Sequence, residues 1–425
     1  MAVYLPLSPS QRLSNFFSEL FHQMRKANPS AYAAFLMRAE QEFKRLGYRE
    51  KVSSGVENIL IVRLDVIGDM VLTSGFIREV RANFPNARIT LVVSPLVFPI
   101  VEFCPYVNEV LTFDRNSLAG TFCDSLERVA VFCKEHLWQK KFSVAFSPQC
   151  GGYDFPNLLM LWLSGARERI GYGMINRTDG MNEFLLSKPL IRSDNIIAQV
   201  EKHFHVLTAV GLKVNQTHME LFYGAEELQH AKELLEDLPP SCKKILIGIS
   251  AGAAGRKYPV EKYLIALKNL AKKNFVFVIT GGKTESEDAA YLEKNLPSGK
   301  VLNLVGKTTL RETEAVISLM DFYIGNDSGV MHMAAAAKVP VLAIYREAVD
   351  RQNVSPMRLS EFLNFPPWQT KSVILRPKHP LGECATLPPI YGHCHHENES
   401  HCITQITPQE IVTGFNKLCK MAEKA

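Results

Sequence analysis

Three short segments carry residue types that could do chemistry. In the first, Arg63-Leu64-Asp65-Val66-Ile67-Gly68-Asp69-Met70 joins an apolar strand to a helical period. The glycine lets the backbone turn sharply and approach a ligand, and the first N–H groups of the helix favour an anion. Asp69 then stands at the carboxyl end of the strand, where it is a candidate general base toward a hydroxyl, or a helix cap. In the second, Gly325-Asn326-Asp327-Ser328-Gly329-Val330-Met331-His332 leads into a helix rich in alanine (Ala334 to Ala337). Exposed N–H groups with Ser328 and Gly329 make a cradle for a pyrophosphate. His332, one turn inside, reads as a hydrogen-bonding group for a phosphate oxygen rather than a core histidine only because that turn lies beside it. The third, Ser250-Ala251-Gly252-Ala253-Ala254-Gly255-Arg256-Lys257-Tyr258-Pro259, is a loop of small residues whose amides can come near a phosphate. Lys257 could neutralise a departing diphosphate, or belong to a solvated Arg-Lys pair.

Positioning these segments requires strands that end at one edge. From Asn58 short apolar runs alternate with helical periods: strands at Ile59–Leu64, Arg88–Val93, Glu109–Phe113 and Ser143–Phe146, with a helix from about Val71 to Asn83. A second series follows Pro239-Pro240, with strands at Lys244–Ser250, Phe275–Thr280, Val301–Leu304, Asp321–Gly325 and Val339–Tyr345. Helices are expected between them at Val260–Lys273, Glu285–Leu296, Arg311–Met320 and Val330–Lys338. Alternation of this kind predicts α/β architecture: two Rossmann-like, doubly wound parallel-sheet lobes with the site in the cleft between them. The division is an N-terminal helical extension (1–55), a first lobe (56–238), a second lobe (239–375) and a Cys/His-rich loop with a final helix (376–425). In the extension, Phe16, Phe17, Leu20, Phe21, Met24, Tyr32, Phe35 and Leu36 recur at helical spacing around Pro29. Such helices suit a cap or an oligomer contact, with docking on a membrane surface as the alternative.

Composition narrows the classes. The chain has 425 residues, 47% apolar and 21% charged, with a formal net charge of +5. That describes a soluble two-domain protein without a basic, aromatic-rich nucleic-acid surface. No apolar run reaches the roughly 20 residues of a membrane span, and Met1 to Arg12 does not read as a secretory signal. Nine scattered cysteines fit reduced thiols in a cytosol. Two apparent motifs carry nothing. Gly306-Lys307-Thr308 lacks the glycine of a phosphate loop, because position 301 is Val; the sequons at Asn176 and Asn398 mean little without secretion. Cys384, His393, Cys394, His395, His396, His401 and Cys402 are metal-ligand types at a spacing that matches no standard zinc module. No metal and no cofactor is assigned.

Together the three segments resemble glycosyltransferase family 9, the ADP-heptose:lipopolysaccharide heptosyltransferases, from about Asn58 to the final helix. The resemblance is strongest at Ile59–Thr73 and Asp321–Ile344. It implies the GT-B fold, with acceptor on the first lobe and nucleotide sugar on the second. By resemblance Asp69 stands at the catalytic base and Lys257 at the lysine that contacts phosphate and leaving group. Asp327, Ser328, Gly329 and His332 stand at the donor turn, Gly252 and Ala253 at amides for the phosphates, Glu285 at the ribose, and Thr308 with Thr309 near the adenine. The chain departs from the pattern with Tyr258 where many relatives have Trp, and with Arg346-Glu347-Ala348 where Gly-Pro-Thr is common; the latter loop borders the donor sugar.

The implied reaction is inverting transfer of a heptose from ADP-heptose to a lipopolysaccharide inner-core or related glycan acceptor. No divalent cation is called for, because the protein supplies the positive potential. The implied setting is cytoplasmic, with peripheral contact at the inner membrane as an option and no nucleic-acid partner. Other nucleotide sugars, a protein acceptor and a non-catalytic nucleotide-sugar binder are the alternatives. A nucleotide-dependent oxidoreductase or epimerase is a further one, and the absent G-x-G-x-x-G counts against the oxidoreductase.

Overall fold

The computed structural model describes residues 8–28, 31–49, 58–118, 120–150, 155–173, 184–191, 195–350, 360–386 and 401–423. The first sheet contains β1 (Asn58–Arg63), β2 (Arg88–Val93), β3 (Glu109–Thr112), β4 (Val144–Ser147), β5 (Glu168–Tyr172) and β6 (Lys188–Leu190), in the order β3-β2-β1-β4-β5-β6. The second contains β7 (Lys243–Gly248), β8 (Phe275–Thr280), β9 (Val301–Asn303), β10 (Phe322–Asn326), β11 (Val341–Ile344) and β12 (Ser372–Leu375), in the order β12-β11-β10-β7-β8-β9. Both sheets are parallel throughout and follow the same winding. The order reverses between β1 and β4, and again between β7 and β10. At such a switch point adjacent connections leave in opposite directions and a crevice opens at the strand carboxyl ends.

Each sheet is covered on both faces, so its central strands read as continuous apolar runs. Along β1, Ile59 and Ile61 join one core while Leu60 and Val62 join another. The first of these cores runs on into the second lobe through Leu246, Tyr323 and Met331, so the lobes share apolar packing beneath the cleft. The strands expected from the sequence lie within two residues of those observed. β5, β6 and β12 were not expected; β5 carries Glu168 and Arg169 and the other two are short edges, one holding Pro189, as an edge tolerates.

The N-terminal segment forms α1 (Pro9–Lys26) and α2 (Tyr32–Arg45). Ser8 and Gln11 make a capping box and Pro9 occupies the first helical position, which together set the start of α1. The apolar stripe expected at helical spacing is turned inward: Phe17 stacks on Trp138 at 5.7 Å and packs on Phe43 at 5.6 Å. Burying each such ring is worth roughly 1.5–3 kcal/mol. The extension is thus a cap on the first lobe, and its buried stripe is not offered to a membrane. At the other end the helix Pro408–Glu423 covers the second sheet, with Phe415 against Phe275 and Phe322 at 5.3 and 5.1 Å. Among the described residues no helix is long and apolar enough to cross a membrane.

Candidate active site

α3 (Ile67–Asn83) begins four residues earlier than the periodicity indicates, which puts Asp69 inside its first turn. The residue before the helix is Val66, in extended conformation and without a side-chain cap. Asp69 therefore does not act as the N-cap. Its carboxylate instead accepts a hydrogen bond from Arg63 Nη2 at 2.9 Å, with a quarter of the side chain exposed. Arg63 ends β1 and is fully buried; its Nε lies 3.2 Å from Asp65, which also takes Arg115 at 3.2 Å. Burial is the largest influence on the Asp69 carboxyl and outweighs Arg63; with Asp65 adding repulsion, it is pushed up to about 6.

In the second lobe the fixed point is Asn326, the last residue of β10 and completely buried. Its amide donates to the carbonyls of Ile249 and Ser250 at 3.0 and 3.3 Å and accepts from Tyr258 N and Tyr263 Oη at 3.1 and 2.9 Å. The small-residue loop after β7 thus hangs from the end of β10. The helix Gly329–Ala336 follows, its N-cap Ser328 extended and making no side-chain cap, so the first N–H groups are not covered by a hydroxyl. His332 is buried beside Asp327, Nε2 to Oδ1 4.0 Å. Burial and Arg256 lower its imidazole to about 4, so at neutral pH it is an uncharged hydrogen-bonding group. Asp327 is pushed up to about 7 by burial, which exceeds the pull of Arg256.

The two turns meet. A Cβ on Gly68 would lie 3.0 Å from His332 Cδ2, and one on Gly329 only 2.8 Å from Ile67 Cγ2. The absence of a side chain at both places lets the turns come this close, so the N-termini of α3 and the Gly329–Ala336 helix pack against each other. Asp69 follows Gly68 in the first lobe and so comes to the junction at which His332 stands in the second.

The remaining residues divide. Lys257, expected over the leaving group, pairs with Asp288 of the helix Ser286–Asn295 at 2.6 Å. Its neighbour Arg256 faces the cleft, 3.8 Å from Asp327 and 3.0 Å from Glu361, and is close enough to Asp69 to pull its carboxyl downward. Ala254–Arg256 forms a 3-10 turn with Lys257 at its end, so the two adjacent cations meet different carboxylates. Gly252 opens onto free space and Ala253 precedes the turn. Glu285 folds back on its own loop, accepting from Gly282 N at 2.9 Å and Thr284 Oγ1 at 2.8 Å. Thr308 pairs with Thr313 Oγ1 at 2.9 Å, and Thr309 caps the helix Leu310–Ser318. The loops bearing Gly252, Glu285, Thr308 and Asp327 leave the carboxyl ends of parallel neighbours and lie along one edge.

Sequence reading missed Arg63, Arg256, Asn326 and Glu361 as site residues. A charged residue ending an otherwise apolar strand marks Arg63, and an Asn ending a buried strand marks Asn326. Glu361 has no local signal, since it meets Arg256 across 105 positions. Cys384 and Cys402 are buried; His393, Cys394, His395 and His396 lie outside the described residues. Among the described residues no three His, Cys, Asp or Glu side chains gather as a metal site.

Two doubly wound lobes facing each other across their switch points constitute the GT-B architecture. Solved structures agree in fold: a family 9 glycosyl transferase from Veillonella parvula superposes with a TM-score of 0.67 at 17% identity, covering 88% of this chain and all of that one. ADP-heptose lipopolysaccharide heptosyltransferase II of Escherichia coli gives 0.62 at 19%, covering 87% and 100%. In sequence the chain is 25% identical to lipopolysaccharide heptosyltransferase 3 of Escherichia coli over 290 residues, 65% of this chain and 79% of that protein. Residues 158–376 match the profile of glycosyltransferase family 9 (heptosyltransferase). The chain belongs to that family and is a glycosyltransferase.

Proposed function

We propose that the protein transfers a heptose from ADP-heptose to a lipopolysaccharide inner-core or related glycan acceptor, with inversion. The observation that carries this is the meeting of two helix N-termini at one cleft, with a carboxylate on the first-lobe side and a cation on the second. Asp69, ionised above about pH 6, takes the proton from an acceptor hydroxyl. The freed oxygen bonds to the anomeric carbon, the bond from that carbon to the diphosphate breaks, and its electron pair leaves on ADP. The first-turn N–H groups at Ser328–Gly329, neutral His332 and Arg256 stabilise the growing negative charge. In this reading Arg256 takes the place assigned by resemblance to Lys257, because the lysine is held on Asp288. Gly252 and Ala253 offer amides to the phosphates, and Glu285 and Thr308 line the nucleoside side. A glycolipid acceptor would bring the protein to the inner membrane surface.

A second donor sugar is the competing reading, and one observation favours it: the loop after β11 carries Arg346 and Glu347, which change the border of the sugar site. The test incubates the purified protein with ADP-heptose and a panel of UDP- and GDP-sugars, reading melting temperature and product. Stabilisation and transfer with ADP-heptose support the reading, since a ligand that binds only the native state raises its stability. Transfer from a different nucleotide sugar alone replaces the donor, and transfer from none removes the assignment.

A further inference from the structure

The departure at Arg346-Glu347 has a structural counterpart. Arg256 sits on a loop of small residues, with 28% of its side chain exposed. A long side chain on such a loop is not fixed by its own backbone. What fixes it is Glu361, whose carboxylate accepts from Arg256 Nη2 at 3.0 Å and from Arg346 Nε and Nη2 at 3.0 and 2.5 Å. Burial opposes the charge on Glu361, yet the two guanidinium groups keep its carboxyl below the usual range. Glu361 is held in turn by Glu347. The Glu347 carboxylate accepts from Ser360 Oγ at 2.8 Å, from Phe362 N at 3.1 Å and from Arg376 at 3.2 Å. The same short turn reaches the other lobe, where Lys202 Nζ donates to Asn364 Oδ1 at 2.5 Å.

We infer that Arg346, Glu347 and Glu361 form a brace that holds Arg256 at the mouth of the cleft, making Glu361 a positioning residue for the cation that receives the diphosphate. The inference rests on the donor-binding reading above and goes beyond it. Asp327 lies 3.8 Å from Arg256, nearly in position to replace Glu361 as its partner. Without Glu361, Arg256 swings onto Asp327 and closes over the donor turn. Two residues of the loop after β11, Arg346 and Glu347, therefore decide where Arg256 points. Because Asn364 is on the braced turn, the lobe contact through Lys202 and the placement of Arg256 are coupled.

The experiment uses the full chain and ADP and UDP alone as probes, read by calorimetry, for wild type, Arg256→Met, Glu361→Gln and the double variant, with melting temperature as the check on folding. Glu361→Gln weakens binding of the preferred nucleotide by about 5–10-fold, and the double variant binds no worse than Arg256→Met, since coupled residues are non-additive. Glu361→Asp, which keeps the charge, recovers part of the loss. A variant Glu361→Gln that melts lower but binds as wild type, or losses that multiply in the double variant, overturns the brace and makes Glu361 merely structural. Wild type that binds neither nucleotide overturns the donor reading itself.

Discussion

At the scale of single residues, the site is a set of carboxylates whose ionisation is set by burial on one side and neighbouring guanidinium groups on the other. Asp69 must be ionised to take a proton, and its carboxyl is raised to about 6. The kcat/KM profile is expected to fall tenfold per pH unit below about 6 and to level off above it; a limb near 4 would mean that the essential base is a solvated carboxylate, and no limb at all would remove Asp69 from the step. Asp69→Ala should fold, bind donor nearly as wild type and lose about 10²-fold or more in turnover. Undiminished turnover in that variant ends the mechanism. Arg256→Met should cost on the order of 10²-fold in kcat, as removal of one charge-stabilising donor does elsewhere. Lys257→Met should cost far less, and the reverse ranking would restore the lysine. Asp69 and the donor turn were legible as residue types at strand ends. The pairing of Arg256 with Glu361 and of Lys257 with Asp288 was not, because both partners come from distant parts of the chain.

At the scale of elements, glycines and buried carboxylates decide how the pieces join. Gly329→Ala would press a methyl group against Ile67, and overpacking of this kind costs roughly 1–3 kcal/mol. Both a lower melting temperature and weaker donor binding are expected, since the two helix ends would be prised apart; unchanged binding would mean that they need not meet. On the helix Leu310–Ser318, Glu314 is buried and accepts from Phe222 N at 3.3 Å, and burial pushes its carboxyl up to about 8. Its folded value exceeds its unfolded one, so its ionisation opposes folding and stability is lost as pH rises toward 8. Glu314→Gln removes that loss, and its advantage in melting temperature should grow from pH 5 to pH 8. The central strands were legible because burial on both faces leaves unbroken apolar runs. β6 and β12 were not, since an edge needs fewer apolar residues, nor was β5, which opens on Glu168 and Arg169; Glu361 was hidden because Arg256 lies far from it in the chain.

At the scale of the whole molecule, two sheets of the same winding share a core beneath the cleft and the N-terminal helices close one outer face. Phe17→Ala should destabilise by about 3–5 kcal/mol, as for a buried aromatic ring, measured by urea unfolding. A loss below ~1 kcal/mol would show α1 to be a detachable arm. The two-lobed plan was legible from alternating strands and helices repeated twice in the chain, whereas the inward turn of α1 and α2 depended on Trp138 against Phe17 and Trp162 against Phe43, which no local pattern ties to them. One feature of the cleft reaches into bulk chemistry. Each helix end already has a carboxylate beside it, Asp69 on one and Asp327 on the other, and Asp327 titrates near 7. An arriving diphosphate competes with these groups, and it raises their proton affinity further. Nucleotide capture should therefore draw a proton from solution: the heat of association should change with the ionisation enthalpy of the buffer, and affinity should decline as pH climbs past 7.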